Sequence, residues 1–175
     1  MNHSFVLKFQ LPPEGPGGDA LTDALAHAGC DDALVGVGVA GRVALEFDRE
    51  AGSAWEALTS AIDAVRSAIP GARLIEVGPD IVGLTDLAET LGVSRQYARR
   101  LLLDEGSRPP LAIHCGKTSL WHLHAVLEWL QAQGRPVPGP LVDVARSARR
   151  LNAARDVAGI PGIALDPELR AAVDG

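Results

Sequence analysis

Cysteine is scarce in this 175-residue chain: Cys30 and Cys115 are the only two, and they share no framework spacing. A disulfide is therefore not expected, and reduced thiols are. No run of eighteen or more apolar residues occurs, which argues against a spanning helix and against a membrane partner. The N-terminus lacks the basic-then-apolar pattern of a secretory signal, so the expected compartment is the cytoplasm. Lysine is nearly missing, with Lys8 and Lys117 the only two among 16 basic residues, and the net charge is −6. That shortage of positive charge is local. Residues 1–80 hold 5 Lys+Arg against 12 Asp+Glu, residues 81–135 hold 6 against 5, and residues 136–175 hold 5 against 5. The acidity sits at the N-terminal end, and the middle of the chain is free to meet a polyanion.

What is present begins with alternation. Phe5, Leu7 and Phe9 fall on one face of residues 4–10, with Ser4, Lys8 and Gln10 on the other, which predicts a half-buried strand. LPPEGPGG reads as a loop, Asp19 as the cap of a helix through Ala28, and Gly29 as its C-terminal cap. Residues 34–39 (Val35, Val37, Val39) and 42–47 (Val43, Leu45, Phe47) alternate as the arms of a β-hairpin. Ser53-Ala-Trp-Glu56 has the spacing of a capping box, and Trp55, Leu58, Ile62, Val65 and Ile69 follow at helical spacing until Pro70-Gly71. A strand over Arg73 to Val77 completes the order β-α-β-β-α-β, that of a ferredoxin-like sandwich with both helices on one face of a four-stranded antiparallel sheet. Small residues on the other face, Gly36, Gly38 and Ala44, invite a partner.

The densest signal is LTDLAETLGVSRQYARRLLL, Leu84 to Leu103. Leu87, Ala88 and Leu91 recur behind Thr85, read as an N-cap, with Asp86 in the first turn. Gly92 should end that helix, and Ser94 should cap a second one whose buried side is Ala98, Leu101 and Leu102. Its opposite side presents Arg95, Gln96, Arg99 and Arg100. Two short helices set at a tight turn, the second carrying long polar side chains outward, is the pattern of a helix-turn-helix. A loop is expected over Gly106 to Pro110, then a short hairpin with Gly116-Lys117 at its turn, then a helix over residues 122–133. Arg135-Pro-Val-Pro-Gly-Pro reads as a linker. Beyond it, Leu141, Val144, Ala145, Ala148 and Leu151 form an amphipathic helix ringed by Arg146, Arg149, Arg150 and Arg155, expected to pack on the preceding unit or on a partner. Asp166-Pro167-Glu168 starts a last short helix in a segment expected to be mobile.

With GLTDLAETLGVSR, then PP, then GKTSLWHLHAVLEWL, residues 81–133 resemble the MerR-type winged helices of phage excisionase and AlpA-like regulators. The resemblance implies that a recognition helix reads the major groove while a hairpin wing grips the backbone. By position, Thr85, Ser94, Arg95, Gln96, Tyr97, Arg99 and Arg100 would face double-stranded DNA, and Gly116-Lys117-Thr118 would form the wing tip. The whole chain, including GCDDALVGVG, is also similar to small bacterial helix-turn-helix DNA-binding proteins.

Other patterns are set aside on chemical grounds. Gly36-Val-Gly-Val-Ala-Gly41 is a literal G-x-G-x-x-G, but a dinucleotide site needs a helix opening from the glycines, and a strand pattern follows them instead. His114, Cys115, His122 and His124 match no metal spacing, so no metal and no cofactor is expected. Asp31-Asp32 and Asp48-Arg49-Glu50 lack a nucleophile or a converging histidine, and an enzyme is not expected. The sequence thus predicts an α+β protein in three parts: a ferredoxin-like sandwich over 1–79, a winged helix-turn-helix over 80–135 and a helical extension over 136–175. Its expected role is that of a homodimeric, DNA-binding transcriptional regulator. The alternative is a protein-interaction module, antitoxin-like or adaptor, engaging a partner through the N-terminal sheet or the C-terminal helix.

Overall fold

The computed structural model describes residues 1–103 and 108–174. In chain order its elements are β1 (Asn2–Gln10), α1 (Asp19–His27), β2 (Ala33–Gly36), β3 (Arg42–Glu50), α2 (Ala54–Ala68), β4 (Arg73–Gly78), β5 (Ile81–Val82), α3 (Leu84–Leu91), α4 (Arg95–Leu103), β6 (Trp121–His122), α5 (Leu123–Ala132), α6 (Gly139–Ala158) and α7 (Pro167–Asp174). The architecture is mixed α+β, with a four-stranded antiparallel sheet in the order β2-β3-β1-β4 and a two-stranded sheet of β5 and β6. Of the loop expected over 106–110, Gly106 and Ser107 lie outside the described residues.

Alternation decides which face of the large sheet is dry. Phe5, Leu7 and Phe9 of β1 and Val43, Leu45 and Phe47 of β3 all point inward and are buried. The register sets Phe5 opposite Phe47 and Leu7 opposite Leu45. The Phe5 and Phe47 rings stack with centroids 5.1 Å apart, and each contributes about 2–3 kcal/mol by burial. Against this face pack Leu21 and Leu25 of α1 and the Leu58, Ile62 and Val65 stripe of α2. Ser53 caps α2 by accepting the Glu56 N–H at 3.1 Å, while Glu56 reaches back to the Gly52 N–H.

Two local expectations give way. Asp19 does not cap α1: Gly18 holds the cap position with a positive φ of 57°, and Asp19 is the first helical residue, where its charge meets the helix dipole. β2 stops at Gly36, and Val37 and Val39 stand 63% and 59% exposed in a turn that closes on Gly41. There Arg42 donates its N–H to the Val39 carbonyl at 2.9 Å, and Gly41 takes the positive φ of 74° that the turn demands. The charged pairs near this hairpin serve as a clamp. Arg49 grips Asp32 with two bonds of 2.7 and 2.8 Å, bonds the Gly29 carbonyl, and lies 4.9 Å over the Phe47 ring.

The largest departure is the C-terminal helix, which packs on the sheet as well as on the helical segment before it. Val144, Ala148 and Leu151 of α6 enter the sheet core, and Val142 and Ala145 enter a second core built on Trp121, Leu123, Val126, Leu127 and the buried sides of α3 and α4. The segment expected to be mobile also docks: Ala172 of α7 is buried, and Arg66 of α2 donates to the carbonyls of Ala172 and Val173 at 3.2 and 2.8 Å.

Where the two cores meet, Asn152 of α6 is buried. Its Oδ1 accepts the Val77 N–H at 2.9 Å, and its Nδ2 donates to the Val77 carbonyl at 2.8 Å and to Asp80 Oδ2 at 2.9 Å. Asp80 in turn accepts from His122 Nδ1 at 2.8 Å, and its carbonyl accepts the Leu123 N–H at 2.6 Å. One amide and one carboxylate thereby tie β4, α6 and the start of α5 together.

Removing that amide should strand a buried N–H, a carbonyl and a carboxylate oxygen. Asn152→Ala is expected to cost about 2–4 kcal/mol in urea unfolding, against less than about 1 for the equivalent change at the exposed Arg146. The Arg49 clamp should show in acid. Hydrogen bonding from Arg49 holds the Asp32 carboxyl below its ordinary value. Its stabilisation is therefore full at neutral pH, weakens as pH falls below the ordinary carboxylate range, and is lost through the folded-state value. Asp32→Asn should flatten that part of the acid unfolding curve, and Arg49→Ala should cost about 2 kcal/mol at neutral pH.

Candidate nucleic-acid interface

The candidate interface is built on α3, α4 and the hairpin after them. α3 begins behind Gly83, not Thr85: Asp86 Oδ2 accepts the Gly83 N–H at 2.9 Å, and Thr85 sits exposed within the first turn. The acceptor three residues into the helix thus satisfies the cap from inside. Gly92 ends α3 in the left-handed region at φ 65°, ψ 32°, and a Cβ there would meet nothing within 4 Å. Val93, half-buried, donates its N–H to the Ala88 carbonyl at 2.9 Å. Ser94 then opens α4, its hydroxyl accepting the Tyr97 N–H at 3.2 Å.

Helical spacing does the rest on α4. Ala98, Leu101 and Leu102 are buried, so at about 100° per residue Gln96 and Arg100 lie opposite them, with Arg99 beside and Arg95 on the flank next to Leu102, and all four stand exposed. Among the described residues none of these three arginines enters an ion pair. Tyr97 lies at the flank, half-buried. The Arg135 guanidinium sits 5.8 Å from its ring centroid and donates to its hydroxyl.

In the sequence Arg135 is only the first residue of a linker pattern. The structure brings it to α4 from 38 residues away, and no local pattern in the chain marks that contact.

Residues 113–120 fold back on themselves. Ile113 donates its N–H to the Leu120 carbonyl at 2.8 Å, and Leu120 donates to the His114 carbonyl at 3.1 Å, leaving Lys117 and Thr118 exposed in the turn. Thr118 Cγ2 lies 3.8 Å from where a Cβ on Gly83 would stand, so the hairpin meets the helices at the start of α3. Val82 and Trp121 pair across β5 and β6, closing the hairpin's base over the core.

No family model matches the chain, and no curated protein or solved structure matches it either. The four residues considered for a metal are not gathered. His114 and Cys115 are exposed at the hairpin, His122 bonds Asp80, and His124 bonds Glu128 at 3.1 Å and Arg149 at 3.3 Å. Among the described residues no three His, Cys, Asp or Glu side chains group to hold an ion, and no helix is long and apolar enough to cross a membrane.

Ser94→Ala should destabilise by about 1 kcal/mol in denaturant titration, while Ser94→Asp, which keeps an accepting oxygen at the cap, should hold wild-type stability. Gly92→Ala should cost about 1 kcal/mol through backbone strain alone, because the site is sterically open.

Proposed function

We propose that this protein binds double-stranded DNA through the outward face of α4 and acts as a dimeric transcriptional regulator. In this reading residues 80–135 are a winged helix-turn-helix, and residues 1–79 form a ferredoxin-like sandwich beside it. The observation that carries it is a contrast between two sets of arginines. Those of α6 are consumed within the molecule: Arg146 pairs with Asp143 and Glu128, Arg150 lies 4.4 Å over Trp55 and pairs with Glu168, and Arg155 pairs with Asp156. Those of α4 stand exposed and enter no ion pair among the described residues. Gathering like charges on one short helix works against the fold, and a polyanion relieves it.

Arg95, Arg99 and Arg100 would then supply the salt-sensitive phosphate term, with Gln96 aimed at a base edge, where its amide matches adenine. Lys117 and Thr118 would reach the neighbouring backbone, with Thr85 beside them at the start of α3. Arg135, docked on Tyr97, adds a cation at the same edge. Two copies related by a twofold axis would present their α4 helices to half-sites about one helical turn, roughly 34 Å, apart.

Fluorescence anisotropy with duplex DNA from upstream of the protein's own gene tests this. Affinity should fall steeply with salt, and Arg99→Ala should weaken it by about 1–3 kcal/mol and lower the log–log salt slope by about 0.9. Absence of salt-dependent binding, or an unchanged Arg99→Ala, would overturn the proposal.

A further inference from the structure

The helices cover one face of the four-stranded sheet and leave the other open, and that open face changes character along the strands. The register sets Asp48 opposite Ser4 at one end, Leu34, Glu46 and Val6 in the next row, Gly36, Ala44, Lys8 and Glu76 in the row after, and Arg42, Gln10 and Arg73 at the far end. One end is therefore acidic and the other basic, and the middle sets apolar residues beside Glu46 and a Lys8–Glu76 ion pair of 3.0 Å. Glu46, Arg42 and Arg73 enter no ion pair among the described residues.

The relief is as uneven as the charge. Leu34 projects with 73% of its surface exposed, while one row along the same strand Gly36 has no side chain. Gly36 lies in a groove of about 280 Å³ whose floor and walls include Ala44, Val39 and Ile75. A Cβ on Gly36 would come no closer than 3.6 Å to any neighbour, so the space above it is open.

We infer that this face is the dimer interface, and that its occupant is a second copy of this chain. The twofold axis lies in the plane of the interface and runs across the strands. That operation reverses the strand direction and keeps each strand over its own copy. It lays Leu34 of each copy over Gly36 of the other, a projection into a groove, made twice. It also brings Arg42 onto Asp48, while Lys8, held by Glu76 at 3.0 Å, lands over Val6. A face matched to itself in both charge and shape is what an isologous contact requires. With strands of four, nine, nine and six residues the sheet spans about 450 Å² of flat area at ordinary strand spacings, somewhat more than half of the roughly 800 Å² of accessible surface that each partner of a standard interface buries. The surface is remote in sequence from α4, so the inference stands or falls without DNA.

Sedimentation equilibrium over micromolar concentrations, with no DNA present, reads it directly. The wild type should sediment at twice 18.3 kDa. Leu34→Asp should give a monomer with unchanged circular dichroism, since Leu34 takes no part in the core. Arg42→Asp and Asp48→Arg should each weaken self-association about tenfold or more, because each sets like charges opposite one another. Mixed in equal amounts, these two variants should form a heterodimer again, since the first carries only acidic groups at the two positions and the second only basic ones. A wild type that stays monomeric, a Leu34→Asp variant that stays dimeric, or two charge variants whose mixture associates no better than either alone would each overturn the inference. A monomer that still binds DNA with the expected salt dependence would overturn the interface and leave the DNA reading intact.

Discussion

The arrangement of this molecule depends on one buried amide. Asn152 meets both backbone groups of Val77 on the free edge of β4, the edge strand that pairs with β1 on its other side, and its remaining proton goes to Asp80. A strand edge inside a protein must find partners for its N–H and C=O or lose the free energy of water it gave up. Here the partner comes from a helix 75 residues away, and the same helix face carries Val144, Ala148 and Leu151 into the sheet core. Asp80, fixed by that amide, receives His122 and the Leu123 N–H. The orientation of α5, and through it the core beneath α3 and α4, follows from where Asn152 stands.

The charge distribution follows from the same packing. α6 lies between two cores, so its arginines meet Asp143 on the same helix and Glu128, Glu168 and Trp55 on neighbouring elements. α4 has one side on the second core, and Arg95, Arg99 and Arg100 stand exposed away from it. Residues of one type in one chain thus divide into structural and surface roles according to how many sides of their helix are covered. The proposed DNA contact draws on the uncovered set. The open sheet face is a third surface, neither covered nor uniformly charged, and its proposed partner is its own copy.

Much of this is legible in the sequence where the signal is local. The inward residues of β1 and β3, the cap at Ser53, the left-handed Gly92, the cap at Ser94 and the exposed side of α4 all follow from periodicity and from side chains within four residues of the backbone groups they serve. Local reading fails where two local solutions compete. Thr85 and Asp19 are both plausible caps, but the helices begin one or two residues earlier, at Leu84 behind Gly83 and at Asp19 behind Gly18, so each falls inside the first turn. Val37 and Val39 continue the alternation of Val35, yet the turn at Gly41 closes too early to keep them paired.

The sequence by itself determined the longer strands and helices, their dry sides and the arginine-bearing side of α4, because each of these is set by the roughly 2.0 and 3.6 residue periods of the backbone. Only the tertiary structure decided that the C-terminal helix belongs to both cores, that Arg135 docks on Tyr97, and that Asp80, His122 and Asn152 form one network. Those contacts join residues 38 to 75 positions apart, and their partners are selected by which faces remain to be buried once the local elements exist. Nothing within a single period of the chain encodes that choice.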